Sequence, residues 1–191
     1  MNEITVKIKC GIEEFYKILE NKGFSVHHIF SMDDTYFIPN TLDIDKLSTR
    51  EILKKAVLVR EVVGKTSGKV RRIITFKIKN YDEKGNILSQ KSINCDIFEI
   101  ENAKELLSAM GYKEIMNIKE NDTVYEKDGF EIAVKEIVNG DNLIEIETDK
   151  SGSLNTVDKI IKKINEIGIP IYTDSYFVKK AEIELNKVLG R

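Results

Sequence analysis

Three carboxylates stand in strand-like segments near the two ends of the sequence. Glu3 opens the segment "EITVKIKC", and Glu145 and Glu147 lie two residues apart in "NLIEIET". Because successive side chains of a β-strand point to opposite faces, residues two apart share one face. Such a face is either exposed to water or lines a site that binds a charged ligand.

Basic residues lie on strand-like segments between these carboxylates. Arg60 interrupts the apolar "AVLVREVV", Lys77 shares one parity with other polar residues of "RRIITFKIKN", and Lys7 shares the parity of Glu3. A sheet with one wet face is the commoner explanation of such alternation. Solvent-facing strand positions usually carry threonine, serine and mixed charges. Here carboxylates lie two apart in strands at opposite ends of the chain, and basic residues are gathered on strands between them, which favours a charge-lined interior.

Composition limits the kind of protein that could contain such a site. The 191 residues are 41% apolar and 32% charged, which is typical of a globular protein with one substantial core. The formal net charge of -2 argues against recruitment of nucleic acid or of an anionic membrane. Cys10 and Cys95 are too few for a disulfide scaffold, and no apolar run is long enough to span a membrane. We therefore expect a cytoplasmic location with reduced thiols.

Helical periodicity recurs in three segments that each end at a glycine. These are "GIEEFYKILENKGF", "NAKELLSAMGY" with Asn102 as the expected N-cap, and "TVDKIIKKINEIGI". Gly23, Gly111 and Gly168 can take the left-handed conformation that terminates a helix. Each helix is followed by an extended segment with an aspartate and an aromatic residue, so short strands should dominate the rest of the chain.

An internal duplication is indicated by residues that match at one constant offset of 88 positions. Two similar halves of this kind would pair their strands into one antiparallel sheet, an α+β fold, rather than form two independent domains. The matching residues are Leu19 with Leu107, Gly23 with Gly111, Asp34 with Asp122 and Thr35 with Thr123.

A series of short motifs resembles the CYTH superfamily, the triphosphate tunnel enzymes that include class IV adenylate cyclases and thiamine triphosphatases. "EITVK" is similar to a degenerate form of the Glu-x-Glu-x-Lys signature of this family. The motifs that follow in the family's order are "DDTYF" before Pro39, "AVLVRE", "ITFK", "LLSAMGY", "IKEN", "NLIEIE" and the terminal "DSYF". The resemblance covers nearly the whole chain.

The resemblance implies a closed or nearly closed antiparallel eight-stranded β-barrel, a tunnel, with flanking helices and two pseudo-repeated halves. A single CYTH-like domain would span residues 1–191. Its core would be residues 1–148, and residues 149–191 would supply a C-terminal helix and a strand that complete the barrel. A lumen lined by ions is stable only if a charged ligand and a metal ion neutralise them.

The resemblance further implies an enzyme dependent on Mg²⁺ or Mn²⁺ that acts on a triphosphate-containing substrate, as a phosphohydrolase or an adenylate cyclase-like enzyme. Its partner would be a small-molecule polyphosphate or a nucleotide, with no nucleic acid and no membrane, and a homodimer stays open. The implied catalytic and metal-binding residues are Glu3, Glu145 and Glu147. The implied phosphate-binding residues are Lys7, Arg60, Lys77 and Lys119.

Four positions depart from the charged pattern of the family, namely Thr5, Leu58, Asn121 and Lys135. Replacing a carboxylate by Thr5 removes a negative ligand, which argues against two metal ions and leaves one metal site open. Replacing an arginine by Leu58 removes a bidentate phosphate contact. The alternative is therefore a non-catalytic CYTH-like barrel that binds a phosphorylated or other anionic small molecule.

Overall fold

The computed structural model describes residues 3–81, 87–148 and 154–191, and these build one eight-stranded antiparallel sheet. The strands are β1 (Glu3–Lys7), β2 (Ser25–Pro39), β3 (Val57–Gly64), β4 (Val70–Tyr81), β5 (Ile87–Asp96), β6 (Tyr112–Lys127), β7 (Phe130–Ile137) and β8 (Asn142–Glu147). Their order across the sheet is β1-β8-β7-β6-β2-β3-β4-β5. The predicted α+β class and the antiparallel sheet are confirmed.

Five α-helices flank this sheet in the described part of the chain. They are α1 (Ile12–Asn21), α2 (Thr49–Leu53), α3 (Ile100–Ala109), α4 (Val157–Ile167) and α5 (Lys180–Leu189), and a short 3-10 turn covers Ile44–Lys46. Within residues 3–81, 87–148 and 154–191, no helix combines the length and the apolar character needed to cross a membrane.

The three helices predicted from periodicity are α1, α3 and α4. Gly23 and Gly111, which follow the ends of α1 and α3, have φ angles of 84° and 85°, and Gly168 caps α4 at 65°. These are left-handed conformations that glycine adopts without strain. The expectation that Asn102 is an N-cap is wrong, because Glu99 occupies that position and Asn102 lies in the first turn of α3, where its amide donates to the Glu99 carboxylate.

The centre of the sheet is the pairing of β2 with β6. Phe30 stands opposite Asp122 and Asp34 stands opposite Ile118, so the register is symmetric for residues matched at the offset of 88. Each central strand pairs on its other edge with the next strand along the chain, β3 beside β2 and β7 beside β6. The two aspartates that repeat in the sequence therefore occupy equivalent places in the sheet.

The sheet is not closed by hydrogen bonds, because its edge strands β1 and β5 do not pair with each other among the described residues. The C-terminal segment also differs from the expected helix and strand. Residues 154–191 form two helices, and the chain between them makes only isolated bridges to β1, from Ile171 to Ile8 and from Phe177 to Thr5. A complete strand at this place is therefore a wrong expectation.

Apolar side chains pack on the outer face of the sheet beneath α1 and α4. Alternation puts the isoleucines and valines of β1 and β8, and Ile132 and Val134 of β7, on this face, opposite to their charged neighbours. The largest buried members of this core are Ile4, Phe15, Leu19, Ile132, Ile144, Ile160 and Ile164. Helix α3 covers the outer face of β2 and β3 with Ala103 and Leu107.

Part of the inner face is also apolar, because α2 and α5 pack against it. Ile52 and Leu185 are fully buried there against Tyr36, Leu58 and Leu143. Arg50 of α2 donates to Glu182 of α5 at 2.9 Å, which ties the two helices together. The remainder of the inner face is left to polar side chains.

Adjacent leucines of α3 provide a test of this packing. We expect Leu107→Ala to lower the free energy of unfolding by about 2–4 kcal/mol, because Leu107 is buried under α3 and truncation leaves a cavity. Leu106→Ala is the matched control, and its effect should stay within about 0.5 kcal/mol because Leu106 is exposed. Urea unfolding of both variants measures the difference, and equal losses would contradict the assigned face of α3.

Candidate functional site

A cavity of about 530 Å³ lies on the inner face of the sheet. Glu3 and Thr5 of one edge strand line it together with Ser92 and Asn94 of the other edge strand. The inner face therefore curves around one shared space although the edges are not hydrogen-bonded. A volume of this size is typical of sites for small molecules.

Glu3, Glu145 and Glu147 form one cluster at this cavity. Glu3 stands opposite Glu147 in the pairing of β1 with β8, and Glu145 lies two residues earlier on the same face. One carboxylate oxygen from each residue lies within 4.8 Å of the others. Burial raises the pKa of Glu147, and the neighbouring charge of Glu145 raises it further. Hard divalent cations take oxygen ligands at about 2.0–2.6 Å, so this spacing fits one such ion.

Arg60 is held at the cavity by a buried carboxylate on the neighbouring strand. Its Nε and Nη2 atoms each donate to Asp34 at 2.6 Å, and the two residues face each other in the pairing of β2 with β3. Burial raises the pKa of Asp34, but the hydrogen bonds and the charge of Arg60 outweigh it and hold the pKa below its usual value. Asp34 accepts from two of the five guanidinium donors, which leaves donors for an anionic ligand.

Lys135 lies at the centre of a second group of buried charges. Its Nζ is 3.0 Å from Asp122, 3.4 Å from Glu120 and 3.6 Å from Glu145. Lys180 of α5 contacts the other oxygen of Glu120 at 2.6 Å. Only 7% of the Lys135 side chain is exposed, so its charge depends on these acids.

Two carboxylates of this group have pKa values that are shifted in opposite directions. Burial raises the pKa of Asp122 to about 6, because the attraction of Lys135 offsets only part of the desolvation and Glu120 adds repulsion. Burial also raises the pKa of Glu120, but Lys135 and Lys180 together lower it below the ordinary value. In the described part of the chain, Oδ1 of Asp122 is buried without a hydrogen-bond partner.

The structure brings five of the seven sequence-predicted site residues to the cavity. These are Glu3, Arg60, Lys77, Glu145 and Glu147. Lys77 belongs to the half of the lining formed by β4 and β5, where Thr75 and Asn94 add neutral polar groups. Acids together with Lys135 therefore line one side of the cavity, and Arg71 and Lys77 with neutral polar residues line the other.

Lys7 is not among the residues that line this cavity, although it has the same parity as Glu3 and Thr5 on β1. Lys7 is the last residue of β1, and its ammonium is bound by Asp141 at 2.6 Å, just before β8 begins. Thr5 does line the cavity, as the motif comparison places it, and it stands opposite Glu145. The neutral hydroxyl is thus present where the family carries a carboxylate.

The expectation that Lys119 faces the cavity is wrong. Lys119 and Asn121 have the opposite parity to Glu120 on β6, so they lie on the outer face. Lys119 pairs there with Asp33 at 3.2 Å, and Asn121 accepts from Lys65. Sequence reasoning missed Glu120, although its parity with Asp122 was a signal that could have found it.

The chain is similar to known proteins both in sequence and in fold. No protein-family model matches the chain. A Methanocaldococcus jannaschii protein named "Putative adenylate cyclase MJ0240" is 25% identical over 187 residues, which cover 95% of this chain and 98% of that protein.

Two solved structures share the fold. The PH1819 protein of Pyrococcus horikoshii superposes with a TM-score of 0.66 at 21% identity, with all of both chains covered. A Hippeastrum protein, described as "Putative adenylyl cyclase HpAC1" with a dominant triphosphatase activity, has a TM-score of 0.56 at 13% identity and covers 93% of this chain and 92% of its own. At these identities the likeness concerns the fold.

The shifted pKa of Asp122 predicts a pH-dependent change in stability. Because this pKa is raised from 3.8 to about 6, the folded protein binds the proton more tightly than the unfolded chain. The resulting stability is present below about pH 4 and is lost as the pH rises through about 6. We expect the free energy of unfolding of Asp122→Asn, relative to the parent protein, to increase from about pH 4 to about pH 7.

Asp34→Asn is the matched control for this measurement. Asp34 has a lowered pKa, so it is ionised in the folded and unfolded states above about pH 5, and its difference from the parent should be constant from there to about pH 7. Urea unfolding at four pH values gives both curves. A flat or falling difference for Asp122→Asn would contradict the assigned shift.

Proposed function

Since the chain resembles the CYTH superfamily of triphosphate tunnel enzymes in its motif order, its named relative and its fold, we propose that it is an enzyme of this type. Its substrate contains a triphosphate group, as a small-molecule polyphosphate or a nucleotide. Its reaction requires a divalent metal ion, Mg²⁺ or Mn²⁺. The inner face of the sheet forms the tunnel in which the substrate binds.

The observation that carries this proposal is the separation of charge around one cavity. Glu3, Glu145 and Glu147 converge on one side, and Arg60 and Lys77 contribute positive charge to the same lining. Ionised groups that face a partly enclosed space are costly unless ligands neutralise them. A triphosphate chain supplies negative charge for Arg60 and Lys77, and a divalent ion supplies positive charge for the three glutamates.

The names of the relatives support both reactions known in this family. The relative in Methanocaldococcus jannaschii is named "Putative adenylate cyclase MJ0240", and the Hippeastrum protein is described with a dominant triphosphatase activity. Both reactions break a bond in a triphosphate chain, with an attacking oxygen from water or from a ribose hydroxyl. The charged lining of the cavity is complementary to a triphosphate group, which is the part of the substrate that the two reactions share.

In the proposed site each charged residue has one task. Glu3, Glu145 and Glu147 would hold one divalent ion by their carboxylate oxygens. The ion, when bound, supplies positive charge that lowers the barrier to attack on a phosphoryl group. Arg60 binds phosphate oxygens with a guanidinium that Asp34 has already oriented, and Lys77 adds a point charge from the opposite strand group.

A non-catalytic binder of an anionic small molecule is the second candidate, and two observations favour it. Thr5 presents a hydroxyl to the cavity where the family has a carboxylate, and Leu58 packs in the apolar part of the inner face beside Leu185. A site with fewer metal ligands and fewer phosphate contacts can retain affinity for an anion without catalysing bond cleavage.

Phosphate release provides the test of the enzyme proposal. With Mg²⁺ or Mn²⁺, the protein should release phosphate from tripolyphosphate or thiamine triphosphate, or form cyclic AMP and pyrophosphate from ATP. Glu147→Gln removes one ligand charge and should lower kcat by roughly a hundredfold or more. Glu105→Gln is the control and should keep full activity, because Glu105 is an exposed residue of α3 and lies outside the cavity lining.

Thermal shift measurements with the same compounds separate the two candidates. An enzyme shows turnover that depends on metal. A rise in Tm with tripolyphosphate, but without turnover under any metal, would refute the enzyme and support the binder. Equal activity in Glu147→Gln and in the parent protein would remove Glu147 from the site.

Two lysines provide a test of the assigned inner face. Lys77→Ala should raise KM for the triphosphate substrate by roughly tenfold or more, because a charge-assisted contact with phosphate is lost. Lys119→Ala should leave KM unchanged, because Lys119 lies outside the cavity lining and pairs with Asp33. For the binder, the same pattern should appear in Kd measured by calorimetry. A larger effect at Lys119 would reverse the assigned faces of β4 and β6.

A further inference from the structure

We propose that Lys135 serves as a built-in cation of the metal site and restricts the three-glutamate cluster to one divalent ion. This inference rests on the proposed function, because it concerns the same cavity. Lys135 is a positioning residue in this role, since it contacts the metal-binding carboxylate of Glu145 and not the reacting phosphate.

The contacts of Lys135 link the buried acids to the glutamate cluster. Its Nζ is 3.0 Å from Asp122 on the neighbouring strand and 3.6 Å from Oε1 of Glu145. With 7% of its side chain exposed, Lys135 cannot move its charge into water without leaving Asp122 unpaired and Glu120 with Lys180 as its remaining partner. The ammonium is therefore a fixed part of the wall beside Glu145.

The matched half of the sheet shows that this link is not a general property of the scaffold. Arg60 stands opposite Asp34 as Lys135 stands opposite Asp122. The position that corresponds to Glu145 across the next strand pair is Thr75, which carries no charge. Among residues 3–81, 87–148 and 154–191, the buried ammonium of Lys135 that contacts a carboxylate of the cavity therefore lies in the half that contains the glutamate cluster.

Electrostatics then limits the number of metal ions. A metal held by Glu145 shares this carboxylate with the ammonium, and like charges this close repel strongly in a partly buried site. The three glutamates still attract one ion strongly enough to bind it. A second ion would need Glu145 or Thr5 as a ligand, and these offer a carboxylate already neutralised in part and a neutral hydroxyl.

Titration with Mn²⁺, followed by electron paramagnetic resonance, tests the inference without any assay of activity. The parent protein should bind one Mn²⁺ per chain. The double variant Lys135→Met/Asp122→Asn removes the ammonium together with one acid that it neutralises, so the buried charges stay balanced. Because the repulsion is gone, it should bind Mn²⁺ roughly tenfold more tightly or better.

Lys180→Met is the matched control, because Lys180 is the other cation that contacts Glu120. Its effect on Mn²⁺ affinity should stay within roughly threefold. Circular dichroism confirms the fold of each variant, and if the double variant does not fold, the stoichiometry of the parent protein decides the question alone.

The outcomes distinguish this inference from the proposed function. Two Mn²⁺ ions per parent chain would overturn the role of Lys135 and leave the enzyme proposal intact. Unchanged or weaker binding by the folded double variant would overturn it as well. Absence of Mn²⁺ binding in the parent and in the double variant would refute both the metal site and the inference.

Discussion

The contacts of Arg60 with Asp34 and of Lys135 with Asp122 place ionised side chains inside a folded protein, where each charge must be neutralised by its neighbours. The rest of the inner face follows from this requirement. The cations stand on β3 and β7, the strands that flank the two central strands, directly opposite the aspartates. Because these pairs neutralise each other, the same inner face can also present other charged side chains to a ligand while the fold stays intact.

Helix α5 joins the apolar and the charged parts of this interior. Leu185 completes the apolar packing against Leu58 and Leu143, while Lys180, at the first turn of the same helix, neutralises the buried Glu120. One short helix, α5, thus separates the apolar part of the inner face from the charged cavity. Without α5, Glu120 would lose one of its two cations and the inner apolar residues would face water.

Side-chain parity predicted the inner face well where a strand was read by itself. Glu3, Glu145, Glu147, Arg60 and Lys77 all line the cavity. The two failures have separate causes. Lys119 was matched to a family motif, although the alternation of β6 puts it on the outer face, where it pairs with Asp33. Lys7 pairs with Asp141 at the end of β1 and so does not reach the cavity.

Other features could not be predicted because they depend on contacts between distant parts of the chain. The role of Lys135 could not be predicted, since the sequence alone does not show that Asp122, Glu120 and Glu145 surround it. The C-terminal segment was expected to add a strand, but apolar packing with α2 favours a helix there. The central sheet follows from local alternation, whereas these details follow from packing.

The symmetric register of β2 with β6 has a consequence for orientation. The backbone of the two halves is matched about this pairing, yet Glu145 in one half corresponds to Thr75 in the other. A linear anion that enters the cavity therefore meets two chemically different ends. An asymmetric anion in this cavity would therefore bind in one direction in preference to the other.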